Sequence, residues 1–179
     1  MKRYILILLY FCFCFKTENI QAQNLPFFGY DNLSWGTSSE IVKKKYSITN
    51  ESTSTKDSLG NSIQKLTQNN VSEMIYMREF EFIDNKLFRV YVTYNNADDT
   101  TYETLRRTLT GNYGSQTGTD LKWEETILPV ASSYIIYGKY SPDIYVELIR
   151  TAYINGYGIK ICYTWKRFLD ERNRSNIEL

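Results

Sequence analysis

Histidine is missing from all 179 residues. Its absence excludes catalytic triads with a histidine base and zinc sites with an imidazole ligand, and it removes the side chain that most often moves protons near neutral pH. Cysteine is scarce as well: Cys12 and Cys14 sit inside the N-terminal apolar run, which leaves Cys162 alone in the remainder. One cysteine forms neither an internal disulfide nor a thiolate cluster, so packing has to supply the stability. Neither sign of charge dominates, with 21 basic residues against 20 acidic ones. A near-neutral chain lacks the electrostatic footprint of a nucleic-acid binder, so none is expected as a partner. Carboxylate, lysine or tyrosine chemistry stays open to an enzyme, but no pattern points to one, and no cofactor or metal is expected.

Long apolar runs are equally few. Tyr4 to Phe15 spans 12 residues behind Met1-Lys2-Arg3, short of the roughly 20 that cross a bilayer and typical of a secretory signal. Ala22 offers a small residue for cleavage, so residues 1–22 are expected to be a signal peptide. The mature chain is then exported, periplasmic or secreted, without a transmembrane span. The bulky phenylalanines before Cys12 and Cys14 argue against lipid attachment, which wants small neighbours. Cleavage removes Lys2, Arg3, Lys16 and Glu18, leaving 18 basic and 19 acidic residues and a net charge of −1. The length suits one cooperative body.

What is there reads as two similar units. Thr37 to Tyr46 aligns without gaps on Thr100 to Leu109. Both segments begin Thr-x-x-Glu, the pattern of a capping box, and both carry apolar residues one turn apart with a basic pair between them. The second helix is expected to stop at Gly114. Strands follow each helix. Met74 to Phe82 and Phe88 to Tyr94 read as a hairpin. A three-residue loop, Ile83-Asp84-Asn85, sets Phe80 opposite Phe88 and Tyr76 opposite Val92, gathering Met74, Tyr76, Phe80, Phe82, Phe88, Val90, Val92 and Tyr94 on one face. Asn155-Gly156 is a hairpin signal that sets Ala152 opposite Ile159, Leu148 opposite Tyr163 and Val146 opposite Trp165. The segments around Leu121 to Ile127 and Tyr134 to Tyr137 supply two more strands, and Ser47 to Gln68 has room for two weaker ones about the Leu59-Gly60-Asn61 turn.

The expected fold class is α+β: tandem helix-plus-antiparallel-sheet repeats, about 35–96 and 97–165 within a single domain 23–165, with the helices packed on one face of the sheet. Residues 166–179 form a polar tail, open between a short helix and disorder. This order of elements, with its two capped helices, resembles the β-lactamase inhibitor protein fold, and each unit resembles the small outer-membrane lipoproteins of the bacterial barrel-assembly machinery. Trp35-Gly36 and Tyr113-Gly114 also resemble features of small exported bacterial proteins. The resemblance implies a tandem-repeat sheet and a binding role; the chain departs from the inhibitor in having no disulfide pair, and no inhibitory residue carries over.

The functional expectation is therefore a non-catalytic, protein-binding or envelope-associated domain whose partner is another envelope or extracellular protein. The alternative is a hydrolase using carboxylate, lysine or tyrosine. Helices on the apolar face leave the opposite face free, where parity places Met77 opposite Tyr91, Glu79 opposite Arg89, Ile149 opposite Cys162, Thr151 opposite Lys160, and Tyr145 near Lys166. Met77, Arg89, Tyr91, Tyr145 and Ile149 are the candidate binding residues, since aromatic, methionine and arginine side chains recur as anchors; a plain cross-strand ion pair is the bland alternative for Glu79 and Arg89. Arg78 and Arg150 fall on the apolar face, as rim or carboxylate-paired arginines or as ligands for an anion. Cys162 reads as a half-buried inert thiol, and Trp35 as packing at a helix entrance. Glu124 and Glu125 point to opposite faces, which rules out a shared catalytic bond. Asp98-Asp99 precedes a helix, where acids favour the dipole. Gly156-Tyr157-Gly158 lacks the strand-turn-helix setting of a phosphate loop.

Overall fold

The computed structural model describes residues 29–56, 60, 62–95, 98–114, 118–124, 130–137, 143–153 and 156–175. The expected signal peptide, with Cys12, Cys14 and Ala22, lies outside them, as do Leu59, Asn61, Glu125 and Asn155. The elements run β1 (Gly29–Tyr30), β2 (Leu33–Ser34), α1 (Ser39–Lys45), β3 (Asn50–Lys56), β4 (Ser62–Asn69), β5 (Ile75–Ile83), β6 (Lys86–Tyr94), α2 (Asp99–Tyr113), β7 (Gly118–Glu124), β8 (Val130–Tyr137), β9 (Ile144–Tyr153), β10 (Gly156–Trp165) and α3 (Lys166–Ser175). β1 and β2 pair as a small ribbon, and the other eight strands form one sheet in the order β3-β4-β5-β6-β10-β9-β8-β7. The architecture is thus α+β, dominated by antiparallel sheet. Its two meanders meet where β10 runs antiparallel to β6, with Tyr163 opposite Val90 and Ile161 opposite Val92.

The first hairpin turns more tightly than expected. Asp84 and Asn85 take φ of 51° and 58°, and two left-handed residues in succession are what a two-residue hairpin turn with the right twist requires. Phe82 therefore pairs with Leu87. Parity is then restored by a bulge at Phe88, so that Glu81 faces Arg89 and Phe80 faces Val90 instead of Phe88. A second irregularity falls at Tyr76, between the pairs Ile75/Tyr94 and Met77/Thr93, and Arg78 rather than Tyr76 lies opposite Val92. It turns Ile75 toward the core, while Met74 and Tyr76, expected there, are 57% and 48% exposed. The second hairpin is shifted by two residues: Ala152 faces Tyr157, Leu148 faces Ile161, and Val146 faces Tyr163. A shift of two keeps every side chain on its face, because the period of a strand is two.

Both helix caps differ from the expected boxes. Thr37 donates to the Ser34 carbonyl at 2.7 Å, and Ser38, the residue at the N-cap of α1, makes no side-chain cap. The first amide of the helix instead donates to Asn85 Oδ1 at 2.9 Å, from the tip of the β5–β6 turn. In α2 the cap is Asp98, whose Oδ1 accepts from the Thr101 amide at 2.7 Å; an acid two residues earlier outcompetes the threonine because it also meets the helix dipole. Gly114, with φ 81°, closes α2.

The core follows from the two meanders. Val42 of α1 and Tyr46 share a buried cluster with Leu66, Phe80, Phe82, Val90 and Val92. Leu109 of α2 shares another with Ile144, Val146, Leu148, Ile159 and Ile161. Trp35, Tyr94 and Tyr163 pack against both clusters and join them. Residues 166–175 of the polar tail form the helix α3: Phe168 stacks on Trp165 at 4.9 Å and reaches Phe88 at 6.3 Å, and Arg172 meets Asp84 at 2.6 Å. No helix among the described residues is long and apolar enough to cross a membrane.

Candidate functional site

On the side of the sheet away from Phe80 and Leu148, three neighbouring rows of side chains cross the central strands. The first row reads Lys65, Glu81, Arg89, Thr164, Tyr145; the second Thr67, Glu79, Tyr91, Cys162, Glu147; the third Asn69, Met77, Thr93, Lys160, Ile149. Met77, Arg89, Tyr91, Tyr145 and Ile149 thus share one face. Strands spaced by roughly 4.8 Å put β5 and β9, three steps apart, about 14 Å from each other. The expected neighbours change: Met77 lies opposite Thr93, Glu79 opposite Tyr91, Ile149 opposite Lys160, Thr151 opposite Gly158 and Tyr145 opposite Thr164. The bulge at Phe88 and the shifted second hairpin account for all five changes.

The ion pairing runs differently too. Arg89 pairs with Glu81 at 3.3 Å, not with Glu79. Glu79 and Glu81 hold Lys65 between them at 3.2 and 3.4 Å, and Lys160 approaches Glu79 at 3.8 Å. The carboxylate side chains are only 15% and 10% exposed. Partial burial strengthens such a network relative to a surface pair, since solvent screens it less. Glu81, Lys65 and Lys160 were not among the expected site residues. Parity alone places Glu81 on the face of Glu79, two residues along β5, but Lys65 lies in a segment too polar for its face to be read from sequence.

Tyr91 sits at the centre. Lys160 Nζ lies 5.0 Å from its ring centroid and the Arg89 guanidinium 6.0 Å, so one ring meets two cations. Opposite it on β10 Cys162 is buried, with its sulfur 3.5 Å from the Thr164 hydroxyl, and Thr164 is buried as well. Burial pushes the Cys162 thiol up to about 12, opposed by Arg89, which keeps it protonated and unreactive. Burial, reinforced by Cys162, likewise holds the Tyr91 hydroxyl above its ordinary range, and burial with the Glu147 charge does the same for Tyr145. Both phenols are therefore neutral hydrogen-bond donors at physiological pH. All five candidate residues are half-buried, a firmer setting than the open face expected.

The two misplaced arginines separate. Arg150 pairs with Asp99 at 2.5 Å and lies 4.0 Å from the Tyr157 ring centroid and 5.2 Å from that of Tyr102; it ties α2 to the sheet. Arg78 reaches Gln68 at 3.5 Å and lies 5.7 Å from the Tyr46 ring centroid. Among the described residues no group of three or more metal-ligating side chains converges.

Comparison with known proteins adds no relative: no family model, no curated protein and no solved structure matches the chain.

Proposed function

We propose that the protein is an exported, non-catalytic binding domain, built of two tandem helix-plus-sheet units with their helices on one side, which engages another envelope or extracellular protein through the opposite sheet face. Met77, Arg89, Tyr91, Tyr145 and Ile149 are its contact residues. The observation that carries this reading is the setting of Tyr91, flanked by two cations and set beside a buried cysteine and threonine of β10. An aromatic ring held this way loses little freedom on binding, which favours it as an anchor. Charges on the face nearly cancel, with Lys65, Arg89 and Lys160 against Glu79, Glu81 and Glu147, so the partner surface is mixed rather than strongly charged.

The test places a photo-reactive amino acid at Tyr145 or Ile149 in the exported chain, with Arg107 on the exposed side of α2 as the control. The expected result is one partner trapped from the sheet face and not from the helix. Arg89→Ala then weakens its affinity by about 1–2 kcal/mol. Equal trapping from both sides, or a trapped partner indifferent to Arg89→Ala, overturns the assignment. Mass measurement of the exported chain checks the cut after Ala22.

A further inference from the structure

We propose that the protein carries a second ligand site, separate from the Tyr91 face, for a small amphipathic organic acid: the apolar body lies in the groove between α2 and the β4–β5 connection, and the carboxylate meets Arg78. The groove holds about 670 Å³ and is lined by Met74, Ile75 and Tyr94 on one side, with Ser72 and the exposed Glu73 beside them, and by Thr104, Leu105 and Thr108 of α2 on the other. That volume falls among those of small-molecule sites. At its lip Met74 is 57% exposed, and an unbranched thioether adapts to whatever shape it covers.

Geometry leads from the groove to the cation. The irregularity at Tyr76 makes Ile75 and Arg78 successive inward-facing residues of β5, with Tyr94 opposite Ile75 and Val92 opposite Arg78. Tyr94 therefore belongs to both places: its ring lines the groove, and Arg78 counteracts the upward push of burial on its hydroxyl. Arg78 itself forms no ion pair among the described residues, and its Nε is buried without a hydrogen-bond partner there. Its direct neighbours are the neutral Gln68, Tyr46 and Tyr30, and the nearest carboxylate, Asp31, is engaged by the Tyr46 hydroxyl, which donates to it at 2.8 Å. Arg150, the other inward-facing arginine, already has Asp99 at 2.5 Å. A half-buried guanidinium without a directly paired carboxylate is stabilised by an incoming anion, and its planar fork suits a carboxylate.

Calorimetric titration of the full chain with decanoate, and in parallel with decanol, tests the site. Saturable decanoate binding is expected, at least about tenfold tighter than decanol, as befits one charge-assisted contact. Arg78→Gln should bring decanoate down to the level of decanol. Met74→Asp, at an exposed position, should weaken decanoate by repulsion even where the Arg78 variant fails to fold. Backbone amide shifts on binding should centre on Tyr94 and Leu105. The proposal is overturned by the absence of saturable decanoate binding, by equal affinity for acid and alcohol, or by shifts that centre on Tyr91 and Ile149.

Discussion

Asn85 joins two elements distant in sequence, and replacing it separates the two things it does. Its Oδ1 accepts from the Ser39 amide at 2.9 Å and from the Ser39 hydroxyl at 2.8 Å, its Nδ2 donates to Glu40 at 3.2 Å, and its backbone sits at φ 58°. Loss of a helix cap costs about 1 kcal/mol. Forcing alanine into the left-handed region adds roughly 1–2 kcal/mol, so Asn85→Ala should destabilise by about 2–3 kcal/mol in total. Asn85→Gly loses the cap but not the backbone fit, and should cost only about 1 kcal/mol. Urea unfolding of both variants, with unchanged slopes, measures the difference. Equal losses for alanine and glycine would show that the turn is not strained, and a loss below about 0.5 kcal/mol for alanine would sink the cross-element cap itself.

Three further expectations can be measured on the same material. Asp98→Ala removes the cap of α2 and should lower stability by about 1 kcal/mol, whereas Thr100→Ala should be near neutral; the reverse order would restore the capping box. Glu40 is held down at about 2 by its own backbone amide and by Asn85 and Ser39. Because its folded value lies below the ordinary one, its contribution is complete above the usual carboxylate range and fades as pH falls toward about 2; Asn85→Ala should flatten that acid limb, and an unchanged limb would remove Asn85 as a cause. Cys162 should resist an aromatic disulfide reagent in the native chain and react at once in denaturant; native labelling at the rate of a free thiol would contradict its burial.

Alternation carried most of the information that was legible beforehand. Met77, Arg89, Tyr91, Tyr145 and Ile149 share a face even though nearly every expected pairing among them was wrong, because an even shift in register leaves the faces intact. Bulges were not legible. Phe88 and Tyr76 each absorb one residue, and nothing in their chemistry distinguishes them from ladder partners; only the backbone angles of Asp84 and Asn85 make the first bulge necessary. Capping is half legible: the acids at the start of α2 read as dipole partners, but the cap of α1 comes from 46 residues away in the chain, beyond the reach of any local pattern. Cys162 reads as half-buried and is fully buried in the fold, because strand parity says which side a residue faces, not whether its neighbours exclude water.

The joining of β6 to β10 also has a kinetic side. Each meander pairs only with strands adjacent in sequence, so its loops are short and close readily. The β6–β10 ladder is the one central pairing whose strands come from the ends of different meanders, and it must wait for a long segment of chain to be ordered before Val90 can meet Tyr163. Until then each half exposes its last strand as an unpaired, apolar edge, the condition under which two chains most easily exchange halves.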